Sequence, residues 1–230
     1  MEYKLIRSRR RTVSLEIKNG ELVVRAPHLA PRFLIEKFVR EKQAWIEKTL
    51  EKSGKAQEEE KQFADGERYL YLGEERTLEI TSLGQRHRDL STSLEMTREV
   101  EVKSDKIFVE ARNEIEIKTR LRIFYKTETA LLVKKYFAKY AGEFEINSPK
   151  ITYKFYKSKW GSCSAKNDFS FNALLSMAPE EVIEYVVIHE LVHAQIKNHS
   201  RRYWLEVGRY DPSYKTHRRW LRENHHHISL

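Results

Sequence analysis

The chain has 230 residues, 40% of them hydrophobic and 33% charged, a globular composition with room for one large domain or two small ones. Its 43 Lys and Arg exceed 34 Asp and Glu, a formal charge of +9 that favours polyanions without identifying one. One cysteine, Cys163, excludes an internal disulfide; with no apolar run near the ~20 residues of a membrane helix and no signal-peptide core, a cytoplasmic protein without a membrane span is expected.

The segments YKLIRS, RTVSLEIK and ELVVRAP alternate apolar and polar side chains and predict a small antiparallel unit, one turn falling at residues 18–20. The run Arg7–Arg11 reads as a basic strand edge that discourages sheet-to-sheet pairing, with a nucleic-acid contact as the alternative. A helix is expected over about 31–52, with Phe33, Leu34, Phe38, Trp45, Ile46 and Leu50 on one broad face and Gly54 ending it. A polar linker covers about 53–66. Strand alternation returns at 68–81 and near 94–111, and 83–95 has no readable pattern. A long helix follows from Glu114 to Ala141, its apolar stripe built from Ile117, Leu121, Phe124, Leu131, Leu132, Phe137 and Tyr140. Then come a strand in KITYKFYKSK, a turn-rich loop in WGSCSAKND and a second strand in FSFNALLS. The next helix, from Pro179 toward Asn198, is strongly apolar; Pro179 suits its first turn and Glu180 and Glu181 its positive end. Short helices at 201–209 and 211–223 finish an α+β chain, divided as a β-rich region with one helix at 1–112 and a helix-rich domain at 113–230.

Residues 189–200, HELVHAQIKNHS, concentrate three histidines and a glutamate inside the apolar helix and just after it. His189 and His193 are four apart, hence about 40° apart in rotation and one turn apart in height, within reach of one metal ion. Glu190 stands beside the first of them, the His-Glu-x-x-His arrangement in which zinc peptidases use the carboxylate as general base toward a water at the metal. Ionisable side chains in a buried helix are costly unless compensated. A metal compensates them, and hydrogen-bonded core histidines are the plain alternative. His199 follows His193 by six residues, the spacing of metzincin peptidases, but Ile196 occupies the position where those have glycine. Asn198, tolerant of the left-handed conformation, is expected to end the helix and turn His199 back toward the metal. Glu206 competes for the role of third ligand. Three neutral nitrogens would leave the open fourth position of a catalytic zinc site.

The chain resembles the YgjP-like metallopeptidase family. The resemblance rests on KSKWGSCS at 157–164, Asn172, APEEVIEYVVIHELVH at 178–193, Asn198 to Ser200, Trp204, Pro212, Tyr214 and RRWL at 218–221. RSRRRTVSLEI and VRAP near the N-terminus extend it over nearly the whole chain, with 53–112 least distinctive. It implies a zincin-like catalytic domain with a long helix, a small sheet and an active-site helix, with His189, His193 and His199 holding Zn2+ or another divalent transition metal and Glu190 as base. SprT-type and WLM-type peptidases are similar more distantly.

Around this motif, Lys157, Lys159, Asn172, Tyr203 and Tyr214 are candidate substrate or oxyanion contacts. Cys163 reads as a small residue shaping its loop. The tract His225–His227 reads as flexible and able to bind metal adventitiously. A peptide or protein substrate is expected, held by β-augmentation along the strand containing Phe169, Phe171 and Asn172. The positive charge keeps a second hydrolase reading open, cleavage of a nucleoside triphosphate. A third reading, a nucleic-acid-binding protein with a structural metal, fits poorly because structural zinc takes four protein ligands.

Overall fold

The computed structural model describes residues 2–18, 20–58, 61–81, 99–146 and 148–230. The stretch at 83–95, and the start of the strand region expected near 94, lie outside them. The chain forms two compact units, Met1–Glu60 and Lys61–Leu230.

In the first unit, β1 (Lys4–Ser8), β2 (Ser14–Lys18) and β3 (Glu21–Pro27) form a sheet of order β1-β3-β2. The expected antiparallel unit is corrected in part: β2 pairs antiparallel with β3, but β1 runs parallel to it. Alternation fixes which face a strand buries, not which neighbour it takes. The most apolar strand, β3, occupies the centre, with Val24 and Ala26 fully buried. Arg7, from the basic run, donates to the carbonyls of Pro27, His28 and Ala30, at 2.8 Å for His28, and so braces the end of the sheet.

The single helix expected over 31–52 is two, α1 (Arg32–Glu41) and α2 (Gln43–Glu58), broken at Lys42. A straight helix over both spans would run about 40 Å, well past strands of this length. The break returns Ile46 to the sheet, where it packs with Ile35, Val39, Leu22 and Val24. Gly54 lies inside α2 rather than ending it. Phe33, Leu34 and Trp45 are exposed, so the buried stripe is Ile35, Val39 and Ile46 instead.

The second unit opens with β4 (Arg68–Tyr71), β5 (Glu74–Thr81), β6 (Val100–Lys103) and β7 (Lys106–Glu110), in a sheet of order β4-β5-β7-β6. This sheet shares one core with α3 (Glu114–Tyr140), and the Tyr125 hydroxyl donates to the Leu70 carbonyl at 2.9 Å. That shared core puts the compact-unit boundary at 60/61, well before the expected division at 112/113. Asn113 caps α3 by accepting from the Glu116 N–H at 3.0 Å. The buried row of α3 is Ile117, Leu121, Tyr125, Thr129 and Val133, with Phe137 after it; Leu131 is exposed, contrary to expectation.

A second sheet, of order β8-β10-β9, joins β8 (Ile151–Lys154), β9 (Gly161–Cys163) and β10 (Phe169–Asn172). The segment expected to be only a turn-rich loop thus contains the edge strand β9, antiparallel to β10. Three helices follow: α4 (Glu180–Gln195), α5 (Arg201–Tyr210) and α6 (Tyr214–Glu223). Glu180 and Glu184 of α4 take ion pairs of 2.7 Å from Lys135 and Lys139 of α3, fixing the register of the two helices. Among the described residues no helix is long and apolar enough to cross a membrane.

Candidate metal centre

The helix α4 is buried along most of its length, with Val186, Val187, Ile188, Leu191 and Val192 all in the core. His189 and His193 lie one turn apart and are both partly buried, ring centroids 5.0 Å apart. The helix ends at Gln195, because Ile196 turns to an extended conformation (φ −126). Asn198 is therefore not the left-handed cap expected; its carboxamide oxygen accepts from the Ser200 N–H at 3.3 Å. Ser200 in turn caps α5, accepting from the Tyr203 N–H at 3.4 Å. This double turn returns His199 to α4. Its Nε2 lies 3.1 Å from His193 Nε2 and 3.2 Å from His189 Nε2.

Two ligands of a tetrahedral zinc, each bonded at 2.0–2.1 Å, lie about 3.4 Å apart. The three imidazoles match that spacing within a few tenths of an ångström at two of their three edges, and all three donor atoms lie within 4.8 Å of one another. Their chemistry fits as well. The Ile196 carbonyl, 3.0 Å from His193 Nδ1, can only accept, so Nδ1 carries the proton and Nε2 presents its lone pair to the cluster. Burial lowers the pKa of all three histidines, His189 to about 3, which keeps the imidazoles in the neutral, ligating form.

Aromatic side chains frame the cluster. Tyr203 is fully buried, and its hydroxyl donates to the His189 carbonyl at 2.9 Å. Its ring stacks on His193 at 4.5 Å. Trp204 stacks on His199 at 5.5 Å, and Tyr214 stacks on Trp204 at 5.4 Å. Tyr203 thus acts as a brace, and Tyr214 as the outer leaf of an aromatic shelf. Behind His189, Tyr185 approaches Nδ1 at 3.5 Å, and Asp211 holds His217 at 2.8 Å.

Glu190 is 4% exposed, and its Oε2 has no hydrogen-bond partner among the described residues. Burial lifts its carboxyl to about 8, opposed by the charge of Lys159. The carboxylate lies against the backbone of β9: a Cβ on Gly161 would come 2.5 Å from Oε1. An orphan carboxylate oxygen costs ~1–3 kcal/mol or more, a burden that marks reactive groups rather than structural ones.

The remaining candidates are dispersed. Lys159 lines a cavity with His189 and Glu190, while Lys157 is exposed and outside that lining. Asn172 is buried and donates to the carbonyls of Tyr156 and Lys159, at 3.0 and 3.2 Å, while its oxygen takes the Leu174 N–H. It builds the loop that carries Lys159. Glu206 pairs with Arg209 at 3.5 Å and is not in the histidine cluster. Cys163 is half-buried, its thiol pKa raised by burial. Lys197 reaches across to it at 3.6 Å and is anchored on Asn167 Oδ1 at 2.6 Å and the Ser164 carbonyl at 3.0 Å. The tract His225–His227 is a turn between α6 and buried Ile228, with His225 edge-on to Trp160 at 5.5 Å, rather than a free tail. The central strand β10 buries Phe169, Phe171 and Asn172 between β8 and β9, so its edges are taken; β9 is the strand beside Glu190. Asp211 was not singled out from sequence, Ile196 was noted only as standing where the metzincin spacing has glycine, and Gly161 was read only as part of a turn-rich loop. Its place in β9, against Glu190, is the close approach that a glycine inside a strand permits.

Comparison with curated proteins and with solved structures gave no match. A model of a YgjP-like metallopeptidase domain matches residues 11–224. That span includes all three clustered histidines and Glu190, and the family implies a divalent metal. The chain therefore belongs to the YgjP-like family of metallopeptidase domains.

Proposed function

We propose that the chain is a zinc-dependent peptidase of the cytoplasm in which His189, His193 and His199 hold the metal and Glu190 is the general base. The observation that carries this reading is the convergence of three neutral Nε2 atoms beside a buried carboxylate oxygen without a protein partner. Three protein ligands among the described residues, rather than four, suit a catalytic and not a structural zinc. Zinc held there would supply a Lewis acid that polarises the scissile carbonyl and lowers the pKa of water toward ~7.

The chain's own residues do the rest. Glu190 Oε2 takes a proton from the attacking water and returns it to the leaving amine nitrogen. Burial favours this exchange by raising the carboxyl's proton affinity toward the working pH. Tyr203 fixes the His189 carbonyl, and Ile196 fixes the His193 tautomer, so the ligands are oriented before any substrate arrives. An extended peptide added along the free edge of β9 would lie beside the strand whose Gly161 faces Glu190.

The test is Glu190→Gln in the zinc-loaded protein. Zinc content should stay near one per chain while peptide cleavage falls roughly a hundredfold or more, the scale of a lost general base. Undiminished turnover would remove Glu190 from the mechanism. Cleavage of nucleoside triphosphates but of no peptide by the wild-type protein would replace the peptidase reading with the phosphohydrolase one.

A further inference from the structure

Next to the histidine cluster lies a cavity of about 480 Å³, within the usual range for ligand sites. It shares His189 and Glu190 with the candidate centre. The rest of its charged lining has one sign: Lys159 from the loop before β9, and Arg218 and Arg222 from α6, with exposed His225 and His226 beside them. Glu190 is the only acidic group among the described lining residues. Lys159 rests 4.2 Å over the Tyr156 ring and donates to Ser162 Oγ; Arg218 lies 4.8 Å over Trp204. These ring contacts hold both cations without neutralising them. Arg222 meets Glu223 only loosely, at 3.7 Å between exposed side chains. Trp160, Val186 and Leu221 add apolar wall to the same cavity.

We infer that this cavity is the subsite for a carboxylate of the substrate, either an acidic side chain or a chain terminus flanking the scissile bond. The inference rests on the peptidase reading above. Fixed cations around an apolar wall suit a group that is charged at its tip and aliphatic along its stem. A phosphate fits less well. Phosphate sites draw on backbone N–H groups at helix N-termini, and α6 enters this cavity with its last turn, where carbonyl oxygens concentrate negative potential.

The experiment is titration calorimetry on the full zinc-loaded chain, which reads binding without requiring turnover. The probes are acetyl-Ala-Ala-Glu-Ala-Ala-amide, its Gln counterpart, and acetyl-tetra-alanine as the free acid and as the amide. The glutamyl peptide or the free acid should bind at least tenfold more tightly than its neutral partner, and whichever does identifies the carboxylate's source. Arg218→Gln and Lys159→Gln should each reduce that preference several-fold, and the double variant should erase it. Equal binding of charged and neutral peptides would overturn the inference, as would a preference that survives in a double variant shown to be folded by its circular dichroism. Tripolyphosphate displacing the acidic peptide at far lower concentration than acetate does would also overturn it, in favour of a phosphorylated ligand. Cleavage assays on the same peptides judge the peptidase reading separately, since a protein that cleaves none of them still reports its binding preference.

Discussion

Gly161→Ala should disable the enzyme through one methyl group. An added Cβ would stand 2.5 Å from Glu190 Oε1, 2.7 Å from Cγ and 2.8 Å from Cδ, where ordinary contact begins near 3.4 Å. The carboxylate must therefore retreat by about 1 Å, or β9 must move by as much. Glu190 has little room, being 4% exposed on a helix buried along its inner side. A displacement of about 1 Å in a reacting group costs on the order of a hundredfold in rate, and overpacking adds ~1–3 kcal/mol of destabilisation. For a domain of this size that lowers Tm by roughly 2–12 °C. The assay is kcat/KM for peptide hydrolysis in zinc-loaded protein, with zinc content and Tm measured on the same samples. We expect activity to fall about a hundredfold while zinc stays near one per chain, because the three atoms nearest the new methyl all belong to Glu190. Adding Glu190→Gln to Gly161→Ala should then cost much less than it does in the wild-type background, since both changes act on one group. Full activity in the variant, or loss of zinc in a protein that remains folded, would refute the contact as the position-setting one.

His199→Ala should weaken zinc affinity sharply in competition with a fluorescent chelator, whereas Glu206→Ala, which removes only a pair with Arg209 at 3.5 Å, should leave it unchanged. Tyr203→Phe keeps the ring on His193 but deletes the 2.9 Å bond to the His189 carbonyl, so urea unfolding should show a loss of ~0.5–1.5 kcal/mol and zinc affinity should fall modestly. Removing zinc with a chelator should lower Tm by roughly 5–11 °C when the loaded sample contains zinc at about a hundred times its Kd. Glu180, whose pKa is lowered first by its bond from Lys135 and then by Tyr136, contributes stability above the unfolded carboxyl value of 4.5 and loses it as pH falls through the lower folded value. The stability difference between the wild type and Glu180→Gln in urea should accordingly shrink between pH 7 and pH 3.

The centre was largely legible in the sequence because its information is local. His189 and His193 are set by one helical turn, the helix by its apolar content, and His199 by a short return of the chain. The mechanism of that return was misread: the chain leaves the helix at Ile196, the position where the metzincin spacing has its glycine, and not at Asn198. The miss at Gly161 is of another kind. Its partner Glu190 is 29 residues away, and the periodicity of β9 says nothing about which helix will lie on it. The same holds for β1, whose alternation was right and whose direction relative to β3 was not. In α3 the buried row follows steps of four from Ile117 to Val133, so Leu131 falls outside although it is as apolar as its neighbours. Asn172 was a candidate substrate contact through the strand expected to hold a peptide; its three backbone hydrogen bonds tie it to the adjoining loop, a role visible only once the strand and loop are folded together.

His189, Glu190 and His193 ride on a single turn of one rigid helix, so any movement of α4 transports them together. His199 does not; it lies beyond the break at Ile196 and is the most exposed of the three. In the proposed centre, His199 is therefore the ligand whose position would depend on the Ile196–Ser200 turn, while His189 and His193 would keep their places on the helix. The lifetime of the bound metal would then be governed by the opening of the Ile196–Ser200 turn, not by unfolding of the core. Lys197, tied across that turn to Asn167 and the Ser164 carbonyl of the β9–β10 connection, would latch that opening. A residue that touches no ligand atom would thus set the metal's off-rate while leaving the equilibrium geometry of the site unchanged.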